Sequence, residues 1–388
     1  MGYIRQPQAV WWRKALFQVH LWIGAFLGFY LIAICISGSL LVFEPNLLND
    51  TPRLPDASMH GPATWNQMTE TALQANPKAT LSYIDMRSLD RRVVPVGLNL
   101  HGQTLIVYID SFTDRIASHE VLQQKHWFVE FMESLHNQLA LGVEGAVANG
   151  IGGALLFVMA MTGIILWWPG IRNWKRALTI KWRARWARIN WDVHSAFGFW
   201  CFLLIAMWGI TGCYFIFPKS FDRAIQVFSL MPSMRQLSSD WKPGDPVLPV
   251  GEFIHRAQQL YPKDRLAYVF MGVYRQHGVV EVYLSRNPSV PMPLLEDEIV
   301  FQPATGAILL NTSSARWTAG ERLSVSTYAL HFGNFAGLPG QILWALLGLV
   351  PVILVVTGYI MWWNRSLNKQ WAKLAAMGPK NPIEKNLI

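Results

Sequence analysis

A membrane protein, a four-transmembrane-helix bundle built from two tandem repeats with two periplasmic α+β domains, is the fold the sequence predicts. Three observations carry the prediction. Four apolar runs are long enough to cross a bilayer, two internal shifts superpose histidines and small-residue/Gly pairs, and the segments between the runs alternate in the manner of β-strands.

Of the 388 residues, 52% are hydrophobic and only 15% are charged, too apolar for an ordinary soluble domain. The spans expected from runs of about 20 apolar residues are 20–43, 147–168, 194–217 and 340–363. An even number of spans leaves both termini on one side. Residues 1–19, 169–193 and 364–388 carry fifteen Lys/Arg against two acids, Asp192 and Glu384, so these three segments are expected in the cytoplasm. The net charge of +9 is thus a topology signal. In the loop "RNWKRALTIKWRARWARINW", tryptophans alternate with cations at a membrane boundary, which favours lipid headgroups over nucleic acid.

Taken in order, residues 1–19 resemble a signal-peptide n-region. The apolar run that follows is too long for an h-region and lacks a small-x-small cleavage site, so 20–43 reads as a retained anchor and first span. Residues 44–146 form the first periplasmic domain and end in a segment bearing His136; 147–168 is the second span. The basic loop 169–193 leads to the third span, 194–217. Residues 218–339 are the second periplasmic domain, ending in a segment bearing His331; 340–363 is the fourth span and 364–388 the tail. In both domains a helix stopped by proline ("ETALQANP", "HRAQQLYP") precedes alternating runs such as "TLIVYIDSFTDRIAS" and "EIVFQPATGAILL". The cysteines Cys35, Cys201 and Cys213 all fall within spans and read as small packing residues.

A shift of 174 residues lays His20 on His194 and Ser37-Gly38 on Thr211-Gly212. A shift of 195 lays His136 on His331 and Thr162-Gly163 on Thr357-Gly358. The other six histidines (His60, His101, His119, His126, His255, His277) have no counterpart and read as surface or packing residues, His126 being the first to reconsider. An ionisable group at the edge of a span is costly, which marks the four matched histidines as functional. His20 and His194 sit at the inner ends of spans one and three. His136 and His331 precede spans two and four on the outer side, set off by the flexible runs "GVEGAVANGIGG" and "FGNFAGLPG".

Facing imidazoles with no carboxylate or thiolate beside them suit the two axial positions of a low-spin haem iron better than zinc, which takes four ligands. From His20 to Gly38 is about 27 Å of helix, close to the thickness of the hydrocarbon core. Gly38 and Gly212 therefore fall at the level of the outer pair, and Gly163 and Gly358 at the level of the inner pair. Each glycine either makes room for a haem held by the other helices or simply permits close helix packing.

The pattern His with [ST]-Gly beginning seventeen positions later in spans one and three, and Leu-His followed by Thr-Gly-x-x-x-Trp-Trp in two and four, resembles PepSY-associated transmembrane proteins. The stretch "LHNQLALGVEGAVANGIGGALLFVMAMTGIILWWPG" is its most specific part. Each external domain looks like a PepSY-like domain, with Asp114 standing where the second copy has Gly306. The chain is similar in plan to di-haem members that reduce ferric siderophores such as ferrioxamine at the bacterial inner membrane. That resemblance implies two b-type haems, one on His20 and His194 and one on His136 and His331. It also implies a ferric siderophore, of hydroxamate type among the options, as substrate, and a quinol or a cytoplasmic reductase as electron donor. One electron suffices to release the metal, because hard oxygen donors hold Fe(III) far more tightly than Fe(II). No acid/base or nucleophile constellation stands out, and no GxGxxG follows a strand. Two other readings are a haem-free PepSY-type binding or regulatory protein and a siderophore or haem permease. The substrate surface is expected in the outer cleft between the two external domains.

Overall fold

The computed structural model describes residues 10–47, 63–86, 92–121, 127–229, 239–242, 245–274, 277–285 and 296–367. His60 and His126 lie outside them, as do residues 1–9 of the N-terminal segment and 368–388 of the C-terminal tail. In chain order the main elements are α1 (Trp11–Leu41), α2 (Trp65–Ala75), β1 (Thr80–Asp85), β2 (Val93–Leu100), β3 (Gln103–Asp110), β4 (Arg115–Val121), α3 (Trp127–Gln138), α4 (Gly142–Trp167) and α5 (Trp186–Ile216). There follow α6 (Pro218–Gln226), α7 (Val250–Leu260), β5 (Arg265–Tyr274), β6 (His277–Ser285), β7 (Glu296–Phe301), β8 (Ile308–Thr312), α8 (Ala319–Phe332), α9 (Gly337–Gly348) and α10 (Val350–Trp362). The chain divides into two compact units: 1–40, 132–217 and 343–388 in one, 41–131 and 218–342 in the other.

The first unit holds the membrane helices. Four stretches are long and apolar enough to span: α1, α4, α5 and Gly337–Ser366, the last made of α9 and α10 with a turn at Leu349 ahead of Pro351. The helices outrun the apolar runs. α1 starts at Trp11 and α5 at Trp186, so His20 and His194 lie within helices and not at their ends. Polar residues can extend α5 because Arg188 pairs with Asp192 at 2.9 Å, one turn apart on the same face. Likewise "GVEGAVANGIGG", read from sequence as flexible, is the first three turns of α4. Its glycines serve close approach: a Cβ on Gly153 would stand 2.8 Å from the Gly209 carbonyl oxygen, and one on Gly209 equally close to the Gly153 oxygen. The backbones of α4 and α5 therefore touch, as membrane helices do where small residues meet. On the other side, Leu27 and Leu31 of α1 pack with Val355 of α10, flanked by Leu155, Met159 and Tyr359. The Arg13 guanidinium donates to the carbonyls of Ile165, Leu166 and Trp168, satisfying backbone groups that the end of α4 leaves open.

In the second unit the two external segments, read from sequence as separate domains, contribute to one sheet. All eight strands form one antiparallel sheet in the order β4-β3-β2-β1-β5-β6-β7-β8, because β1 pairs directly with β5. Each half is a helix followed by a four-strand meander. Residues 185 positions apart meet at the seam: Ile84 faces Val269 in the register, and the Tyr83 and Tyr268 rings stack at 5.7 Å. The Asn66 side-chain oxygen accepts from the Gly251 amide at 2.8 Å, joining the starts of α2 and α7. Both helices cover one face, where Met68, Ala72, Phe253 and Ile254 pack on Val96, Leu98, Val107, Val269, Val282 and Phe301. The alternation of the strands sends Tyr83, Tyr268, Glu281, Tyr283 and Glu298 to the opposite face. Asp114 and Gly306 both take the left-handed conformation, with φ of 54° and 68°.

Candidate functional site

Three of the four repeat-matched histidines lie in the membrane unit, and each is seated on a small-residue/Gly pair of a facing helix. His20 on α1 reaches α4, where its Nδ1 lies 3.1 Å from Thr162 Oγ1. His194 on α5 reaches α10, with Nδ1 2.9 Å from Thr357 Oγ1. His136, near the end of α3, reaches α1, with Nδ1 3.0 Å from the Ile34 carbonyl and 3.2 Å from Ser37 Oγ.

A carbonyl oxygen only accepts, so His136 Nδ1 donates to Ile34. Each hydroxyl also reaches a carbonyl one turn earlier on its own helix: Thr162 reaches Val158 O at 2.9 Å, Thr357 reaches Ile353 O at 2.7 Å, and Ser37 reaches Ala33 O at 2.8 Å. A hydroxyl that donates there offers the imidazole only a lone pair, and Nδ1 then carries the ring proton, the tautomer whose Nε2 can bind a metal.

The glycine beside each hydroxyl gives the ring edge its space. A Cβ on Gly38 would stand 2.6 Å from His136 Cε1, one on Gly163 3.2 Å from His20 Cε1, and one on Gly358 3.5 Å from His194 Cε1. At these three positions the room made by glycine is occupied by the histidine ring itself.

Further residues, not singled out from sequence, tie these seats together. Asn149 Nδ2 donates to the His136 carbonyl at 2.7 Å, while Asn149 Oδ1 accepts from Tyr30 Oη at 2.7 Å, linking α3, α4 and α1. Asn190, one turn before His194, donates to the Thr357 carbonyl at 3.0 Å. Asn149 and Asn190 are polar residues on apolar helices, the one signal that could have marked them. Burial holds the His136 imidazole below its ordinary pKa, partly offset by the bond to Ile34, which keeps the ring neutral at neutral pH.

The fourth small-residue pair, Thr211-Gly212, is on α5, where the buried Thr211 hydroxyl donates to Met207 O at 2.8 Å. His331 belongs to the second unit. It sits in the last turn of α8, just before the left-handed Gly333, with its ring edge-on to Phe332 at 5.8 Å. Among the described residues no three His, Cys, Asp or Glu side chains gather as a polydentate metal site. The donor set that is present, single imidazoles on separate helices with Nδ1 at a hydroxyl and a glycine at the ring edge, fits the axial positions of a haem iron.

No curated protein matches the chain. The sequence model of the PepSY-associated TM region matches residues 17–365. That match takes in all four apolar helices and the eight-stranded sheet, and the chain belongs to the PepSY-associated TM family.

Proposed function

We infer that this protein is a di-haem b oxidoreductase of the bacterial inner membrane that passes electrons outward to Fe(III)-siderophores in the periplasm and so releases Fe(II). The observation that supports it most is the shared seat of His20, His194 and His136, each with Nδ1 within hydrogen-bond distance of a Ser or Thr hydroxyl on a facing helix. His20 and His194 are assigned to the haem on the cytoplasmic side; the sequence repeat assigns His136 with His331 to the other. When bound, haem supplies a reversible one-electron couple, which is the reaction class a ferric chelate requires. The chain's own part is to offer a lone pair from each of two helices and to hold each ring against rotation. The electron donor in this reading is a quinol or a cytoplasmic reductase.

A second reading is a haem-free PepSY-type binding or regulatory protein. Its support is the family match itself together with the size of the extramembrane sheet, whose eight strands are a sufficient scaffold for binding without redox chemistry. Mixing the dithionite-reduced protein anaerobically with ferric siderophores tests the first reading. Reoxidation with appearance of Fe(II) is expected, and no reoxidation by any siderophore would remove the reductase assignment.

A further inference from the structure

Resting on the haem reading, we propose that Thr162 and Thr357 are positioning residues that hold the axial histidines His20 and His194 in one tautomer and one rotation and thereby set haem potential. Each hydroxyl reaches the carbonyl one turn earlier in its own helix, at 2.9 Å for Thr162 and 2.7 Å for Thr357, and donation there leaves it an acceptor toward the ring. It lies 3.1 Å from Nδ1 of His20 and 2.9 Å from Nδ1 of His194. A rotating hydroxyl could have donated to Nδ1 instead and turned the proton to Nε2, where it would block metal binding.

The neighbouring glycine completes the seat by admitting Cε1, so hydroxyl and glycine act on adjacent edges of one ring. An acceptor on Nδ1–H makes the imidazole a stronger donor to the metal and favours the ferric state. Position and electronic tuning thus come from the same atom. The inner seats use threonine, whose methyl group also fills space on the helix surface. Ser37 shares the His136 Nδ1–H with the Ile34 carbonyl, so its removal leaves that bond in place.

The test is Thr162→Val and Thr357→Val in the full chain, with Thr→Ser at each site as the conservative control. Haem content, midpoint potentials from the visible α band and the EPR spectrum of the oxidised protein are read together. Each valine variant is expected to shift one haem toward the ferrous form by up to about tenfold, ~59 mV for a one-electron couple, and to leave the other haem unchanged. The serine variants should return the potential to that of the unaltered protein. Unchanged potentials and EPR spectra in both valine variants, with two haems still bound, would overturn the positioning role while leaving the haem reading intact. Absence of haem from the unaltered protein would instead remove both. Should valine prevent folding at either site, Thr→Ala also removes the lone pair without adding bulk, and the same shift is expected.

Discussion

His194 Nδ1 lies 2.9 Å from Thr357 Oγ1, and Asn190, one turn earlier on the same helix, donates to the carbonyl of that same threonine at 3.0 Å. Two contacts from α5 thus converge on one residue of α10, so the imidazole cannot turn without breaking a buried hydrogen bond. Between α1 and α4 the His20–Thr162 contact repeats the histidine part of this arrangement, with Leu16 in the place of the asparagine.

Glycine-to-alanine substitutions should grade with the space beside each ring. Gly38→Ala places its Cβ 2.6 Å from His136 Cε1 and should displace the ring, with loss of one haem signal. Gly163→Ala, at 3.2 Å, should broaden or shift it, and Gly358→Ala, at 3.5 Å, should be tolerated. Visible spectra of the three purified variants check the order; equal effects in all three would contradict it.

His20→Ala and His194→Ala should abolish the same haem, because the sequence repeat lays one of these histidines on the other. His136→Ala should spare that haem. Redox-difference spectra resolve the two cases, and loss of different haems in the first two variants would break the pairing.

Outside the membrane, stability should fall as pH rises. Tyr283 Oη faces Glu281 at 2.9 Å and Glu298 at 3.2 Å, and burial first, then their mutual charge at Glu281, pushes the carboxyl pKa values up. A tyrosine has one proton to give, so one carboxyl is best satisfied protonated. The folded state therefore holds protons that the unfolded chain releases. Its advantage is complete below the ordinary carboxyl range and is lost as pH climbs through the raised values. Melting curves of the full protein across that range should show this, and Glu298→Gln should flatten the slope. A slope unaffected by Glu298→Gln would contradict the assignment.

The two equivalent turns should respond differently. Gly306→Ala puts a side chain at a left-handed φ of 68° and should cost about 1–2 kcal/mol. Asp114 already takes φ 54° and is held by the Thr71 hydroxyl at 3.0 Å, so Asp114→Gly should change stability by well under that. Chemical denaturation of the extramembrane transition compares them; a costlier Asp114→Gly would contradict the account.

The four spans were legible because their signal, apolar length, is local. The seam of the sheet was not, since pairing Ile84 with Val269 leaves no local mark. β2 went unnoticed because Pro95 and Gly97 interrupt its alternation; the structure tolerates the proline where β2 has run beyond its pairing with β1, which ends at Val96. "GVEGAVANGIGG" looked flexible because glycine signals a breaker in water, whereas beside another membrane helix it signals contact. The Ser/Thr-Gly pairs were visible as a pattern, but their use as histidine seats depends on which helices face one another.

The account's central claim is that these histidines hold haem. The visible spectrum of the purified protein, oxidised and then reduced with dithionite, tests it most directly. A Soret band with resolved α and β bands on reduction, corresponding to two haems per chain, is the predicted result. A protein that folds, keeps its helices and shows no Soret band would contradict it.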